Sequence, residues 1–118
     1  MTPELIKKLC KYAEGFRFDA SGLIVCQNSG TSCGWDKTES SVFPLMLYRA
    51  VQGWNKLIGD EWGWIEIDNT SVIFYDYNFS DGIFEFEKYQ YENGLTQCEQ
   101  AIIDCFKYIF QKDHTKGD

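Results

Sequence analysis

Five cysteines and one histidine are the residues of this chain whose types could carry nucleophilic or metal chemistry, and their spacing decides little in favour of either. A cysteine nucleophile needs a base to take its proton, and the single histidine, His114, stands in a polar tail far from the hydrophobic pattern. Cys33, set in a polar stretch, reads as the accessible thiol, idle or open to oxidation. Cys26 and Cys33 lack two further soft ligands at workable spacing for a metal. Cys98 and Cys105 share one helical face whose neighbours Ala101, Ile102 and Ile109 are apolar, which predicts core positions. The glycines of Ser29-Gly30-Thr31-Ser32-Cys33-Gly34-Trp35 are not followed by the Gly-Lys-Ser or Gly-Lys-Thr of a phosphate cradle.

Carboxylates are abundant, with nine acids against one base, Lys88, between Asp60 and Glu92. Glu85 and Glu87 alternate with Phe84 and Phe86, so they share one strand face. An acid pair for hydrolysis is one reading of that face, and a solvated strand face is the other. No catalytic, cofactor-binding or metal-binding residue is therefore assigned. The formal charge of −7 removes the Lys and Arg surface that nucleic acid requires, and it disfavours an anionic membrane. It predicts solubility or, in a sharper form, a surface that imitates nucleic-acid phosphates and occupies a DNA- or RNA-binding protein.

The elements that must position these groups follow from periodicity. Ten of the twenty aromatic residues lie between Trp62 and Tyr91, in three runs separated by Asp68-Asn69-Thr70 and by Asn78 to Gly82. Such runs predict an antiparallel meander, Trp62–Ile67, Val72–Tyr77 and Ile83–Tyr91, with a bulge or strand end near Glu87-Lys88. Thr2-Pro3-Glu4 opens a first helix reaching about Glu14, with Leu5, Ile6, Leu9, Tyr12, Ala13 and Phe16 on its buried stripe. Phe16–Asp19 and Leu23–Gln27, around Ala20-Ser21-Gly22, predict a hairpin, and Asn28 to Ser41 reads as a long loop. A second helix spans about Phe43–Leu57, burying Phe43, Leu47, Ala50, Val51, Trp54, Leu57 and Ile58, with Gly59 as its stop. Thr96-Gln97-Cys98-Glu99 is a capping box that starts the last helix, running to about Gln111.

The expected architecture is α+β, in the order αββαβββα, with an antiparallel meander sheet and three helices arranged as an α/β/α-like sandwich. One domain covers residues 1–112 and a tail covers 113–118. Trp62, Trp64, Phe74, Phe84 and Phe86 are expected on one sheet face, and Ile65, Ile67, Ile73, Tyr75, Tyr77 and Ile83 on the other. Unpaired cysteines, and the lack of any apolar run of membrane-spanning length or signal-peptide flanks, predict a reducing cytoplasm.

The pattern resembles a family of small bacteriophage and prophage proteins, the phage helix-sheet-helix sandwich domain. The matching parts are Leu5-Ile6, Leu9-Cys10 and Tyr12-Ala13-Glu14-Gly15-Phe16, then Phe43-Pro44-Leu45-Met46-Leu47-Tyr48-Arg49-Ala50-Val51, the strand at Trp64, and Thr96 with Cys98-Glu99-Gln100-Ala101-Ile102. The stretch from Asn28 to Ser41 and the acidic last strand depart from it. The resemblance implies a fold and a mobile-element origin, and it assigns no site residue.

Aromatic residues among polar neighbours are the surplus that a core of this size does not use. Trp35, Tyr77, Tyr89 and Tyr91, with the acids Glu85 and Glu87, form the expected partner surface for another protein. The chain is expected to be a non-enzymatic protein-binding module without cofactor, acting as monomer or homodimer. An acidic nucleic-acid mimic and a small hydrolase using acidic residues are the alternatives.

Overall fold

The structure, a computed structural model, describes residues 2–76, 79–87 and 91–112. Its first helix, α1 (Pro3–Tyr12), starts where Thr2 accepts the Leu5 amide at 3.3 Å, and it buries Leu5, Ile6, Leu9 and Tyr12. Strands β1 (Phe16–Phe18) and β2 (Leu23–Cys26) form the expected hairpin. The Asp19 carboxylate closes its turn by accepting the Ser21 and Leu23 amides, each at 3.0 Å.

The stretch from Asn28 to Ser41 is not a continuous loop, because β3 (Ser32–Gly34) pairs antiparallel with β2 in the register Ile24 to Cys33. Next comes α2 (Val42–Leu57), with Pro44 in its first turn. Met46 joins the buried stripe, whereas Leu57 is exposed because the stripe turns away from it. Gly59 does not end the helical region. It begins a single turn, α3 (Gly59–Trp62), so the first strand of the aromatic region starts at Trp64 and not at Trp62.

Strands β4 (Trp64–Ile67), β5 (Ser71–Asp76) and β6 (Phe79–Glu85) form the expected antiparallel meander. The third strand is displaced: it begins at Phe79 and ends at Glu85, so Gly82 lies inside it and not in a turn. A Cβ at Gly82 would come within 3.0 Å of the Tyr108 ring, which is why the strand tolerates a glycine there. The strand ends at Glu85, in keeping with the strand end expected near Glu87-Lys88, and a bulge lies further back, opposite Phe74 and Tyr75, which pair with Gly82 and Ser80 and leave Asp81 as the extra residue. Lys88 lies outside the described residues. A two-residue turn at Asn93-Gly94, both at positive φ, joins β7 (Tyr91–Glu92) to β8 (Leu95–Thr96). Finally α4 (Gln97–Gln111) carries the complete capping box of Thr96 and Glu99.

The α+β class and the order of helix, strands, helix, strands, helix stand as expected, with β3, α3 and the β7–β8 ladder added. Helix α2 is the hub, in contact with α1, α4 and strands of both three-stranded sheets. At its centre Trp54 is wholly buried, with the rings of Tyr12, Phe74, Phe106 and Phe110 at 5.1 to 6.4 Å, and its indole N–H donates to the Gly63 carbonyl at 2.8 Å. The tail 113–118, with His114, lies outside the described residues.

One further contact fixes the sheet to this hub. The Asn55 amide group donates to the Ile65 carbonyl at 2.8 Å and accepts the Ile65 amide at 2.7 Å, so a side chain of α2 occupies the outer edge of β4 in the manner of a neighbouring strand. Asn55→Ala is expected to destabilise the fold by about 1–2 kcal/mol, since it leaves a half-buried donor and acceptor unmet. It should also promote self-association through β4. Urea unfolding checks the first effect and concentration-dependent light scattering the second.

Candidate protein-binding surface

The register of β4, β5 and β6 separates their side chains into two sets. Ile65, Val72 and Phe74 face inward and are buried, and Phe84 joins them half-buried against Tyr108, ring centroids 5.8 Å apart. Helix α4 lies against β5 and β6 on this side, while α2 meets β4. The opposite set pairs Trp64 with Tyr75, Glu66 with Ile73, and Ile73 with Ile83. Trp64 is 52% and Ile83 56% exposed, Ile73 and Tyr75 are half-buried, and Glu66 and Glu85 are exposed. The result is an apolar strip of four side chains lying on the sheet with carboxylates among them. Burial and the neighbouring charge of Glu66 push the Tyr75 phenol up, so it is a neutral hydrogen-bond donor at physiological pH.

The helices thus cover the face opposite to the strip, and the expected sorting of side chains is corrected for the whole of β4. Trp64 does not share a face with Phe74 and Phe84, because β4 meets β5 with even-numbered residues opposite odd-numbered ones. Ile65 and Ile67, in turn, share the face of Val72 and Phe74 and not that of Ile73 and Tyr75.

Electrostatics reinforce this outer surface. No Lys, Arg or His occurs from Leu57 to Glu87, while Asp60, Glu61, Glu66, Asp68, Asp76, Asp81, Glu85 and Glu87 all do. Asp81 is held by Lys112, whose ammonium lies 2.7 Å from its carboxylate, and Tyr108 donates to the Asp81 carbonyl at 2.9 Å. That clasp fixes the last turn of α4 to the bulge, and it leaves the other carboxylates as the surface field.

Of the residues expected to form the partner surface, Glu85 is on this face and Glu87 is exposed just beyond β6. Tyr91 is 73% exposed but belongs to β7. Trp35 is half-buried beside the β1–β3 sheet, where its ring would lie 3.3 Å from a Cβ at Gly22. Tyr77 and Tyr89 lie outside the described residues. Trp64, Ile73 and Ile83, which complete the strip, were not among the expected partner residues.

Cys33, the one thiol expected to be accessible, is not. Cys33 is buried, and burial raises its pKa. Burial also pushes Cys10 and Cys105 up to about 12. Ser29 bonds hold Cys26 low, yet its side chain is buried. Cys98 faces the Tyr48 hydroxyl at 3.8 Å in a cavity of about 280 Å³ lined also by Ile67 and Phe86, and burial raises both groups away from nucleophilic use. A second groove of about 440 Å³, between α1 and α4, is lined by Leu5, Lys8, Lys107 and Phe110, with Lys8 stacked 5.2 Å above the Phe110 ring. Cys10 and Cys105 are expected to resist iodoacetamide in the folded protein at about pH 8 and to react at once in urea. Mass spectrometry of the alkylated peptides reads this out, and equal labelling in both states would contradict the burial.

Among the described residues no group of three or more His, Cys, Asp or Glu is arranged to hold a metal ion, and no helix is long and apolar enough to cross a membrane. No protein-family model, curated protein or solved structure matches this chain.

Proposed function

We propose that this protein is a non-enzymatic module that binds another protein through the outer face of β4, β5 and β6. The observation that carries this reading is the strip of Trp64, Tyr75, Ile73 and Ile83, left open on a sheet whose other face is packed into the core. Tryptophan and tyrosine bury much area at small entropic cost, so they serve as anchors, and the surrounding carboxylates form a charged rim. A fitting partner has an apolar centre and basic residues around it. The resemblance of the helix patterns to small phage proteins supports a mobile-element origin for such a module, and unpaired cysteines support a reducing compartment.

The test is affinity capture at low and high ionic strength with the native chain and with Trp64→Ser. Loss of the anchor is expected to weaken capture about tenfold or more, with thermal stability nearly unchanged and with binding that persists in high salt. Equal capture by both forms would sink the reading. Capture that collapses as salt rises, and is indifferent to Trp64, would favour the mimic of nucleic-acid phosphates.

A further inference from the structure

The two edges of the β4–β5–β6 sheet are not equivalent. On β4, the Asn55 amide group occupies both outward backbone groups of Ile65. On β6, the Phe86 amide donates to the Thr70 carbonyl at 2.8 Å, which continues the ladder and places Phe86, Phe84 and Gly82 in the positions that bond to β5. Ile83 and Glu85 alternate with these, so their N–H and C=O groups face away from β5. Among the described residues nothing bonds to those four groups. At one end the edge is stopped, because Tyr108 occupies the Asp81 carbonyl and Lys112 its carboxylate. The β4 edge is thus closed at its centre, Ile65, by a side chain, and the β6 edge is left open over Ile83 to Glu85.

We propose that an extended segment of a partner protein adds to β6 as a fourth strand, pairing with the backbone of Ile83 and Glu85. This rests on the reading that the outer face receives a protein, and it names the partner's conformation and chemistry. On the outer face an apolar residue of the segment lies beside the exposed Ile83, and a Lys or Arg lies beside Glu85. On the inner side, a small or β-branched residue stands next to Phe84. Main-chain bonds supply affinity and the alternating side chains supply selection. Charge decides the source of the strand. A second copy would bring its own β6, with Glu85 on the same row, and its own formal charge of −7, whereas a basic segment meets strands that carry no cation from Leu57 to Glu87, the Lys112 ammonium at the stopped end being held by Asp81. Free edges of this kind are a hazard unless covered, and the seal on β4 makes the open stretch on β6 the more selective one.

The probe is the peptide acetyl-Ser-Lys-Thr-Val-Thr-Lys-Ser-amide, with the same peptide carrying Glu in place of Lys as its control. In the full chain the exchange of the Ile83 and Glu85 amide protons is expected to slow about tenfold or more on adding the lysine peptide, and not on adding the control. Ile83→Pro removes an N–H that faces away from β5 together with the isoleucine side chain, so it is read against Ile83→Ala, which keeps the N–H: the native ladder stays in both, and peptide affinity falls about tenfold or more further in the proline variant. Glu85→Lys, which alters no backbone group, is expected to transfer the preference to the glutamate peptide. Unchanged exchange at about 1 mM peptide, equal binding by Ile83→Pro and Ile83→Ala, or self-association through β6 at working concentrations would overturn the proposal. If Trp64→Ser weakens the peptide and Ile83→Pro does so no more than Ile83→Ala, the face binds but the edge takes no strand. If Trp64→Ser and Ile83→Pro both leave binding unchanged, the outer-face reading fails as well.

Discussion

Trp54→Ala is expected to lower the unfolding free energy by about 3–5 kcal/mol, the range for removing a large aromatic side chain from a filled core. The side chain is wholly buried and touches rings from α1, β5 and α4, so no single element can move in to fill the space without leaving another. A second contribution comes from the Gly63 carbonyl, which loses the indole N–H that it accepts at 2.8 Å in a buried position. An unmet buried acceptor costs about 1–3 kcal/mol. For a chain whose whole stability is of the order of 5–15 kcal/mol, this is a large share of the total, and the variant is expected to unfold at a much lower urea concentration. Trp54→Phe separates the two contributions, since it keeps a ring and removes the donor. Urea unfolding of the native chain and both variants checks the result. A loss below about 2 kcal/mol in the alanine variant would mean that Trp54 is not the keystone of the core.

Gly53→Ala is expected to destabilise by about 3 kcal/mol or more, although alanine is the better helix former by about 1 kcal/mol. The sign is reversed because a Cβ at this position would lie 1.6 Å from the Tyr12 carbonyl oxygen, a backbone atom that no rotamer change can remove. Helices α1 and α2 would have to separate, and with them the contact between the Tyr12 and Trp54 rings, centroids 5.1 Å apart. Circular dichroism should show helix content retained while the thermal midpoint falls. A raised midpoint would show that α1 and α2 do not approach as closely as Gly53 requires.

Much of the fold was legible because it is written in local chemistry. Thr2-Pro3-Glu4 and Thr96 with Glu99 announce helix starts through bonds confined to one turn, and those two starts are where the structure has them. The β3 strand was hidden because Ser32 to Gly34 puts one residue, Cys33, into the core, and a single buried side chain has no period. The α3 turn was hidden by Trp62, whose type suits a strand as well as a helix end. The sorting of the aromatic strands failed at a single turn. Between β5 and β6 the register keeps Phe74 and Phe84 on one face, as their spacing suggested, but the turn after Ile67 sets Trp64 opposite Tyr75. A one-residue difference in that turn exchanges the two faces of β4, and nothing in Asp68-Asn69-Thr70 declares the count.

The candidate site suffered from the same step. Glu85 was found because its alternation with Phe84 and Phe86 is local, whereas Trp64 looked like core until its cross-strand partner was known. Tyr91 was correctly read as exposed, but exposure does not say which sheet a residue joins. The reading of Trp35 as a contact residue overlooked Gly22, whose missing side chain makes room for the indole. The aromatic surplus signals exposed rings, and their location needs the register.

The division of the β4–β6 sheet into an inner and an outer set has an evolutionary consequence. Residues 64, 66, 73, 75, 83 and 85 stand on the solvent side of a sheet whose other side is anchored through Phe74 to Trp54. Substitutions can therefore accumulate in the outer set, one codon at a time, while the inner set preserves the scaffold.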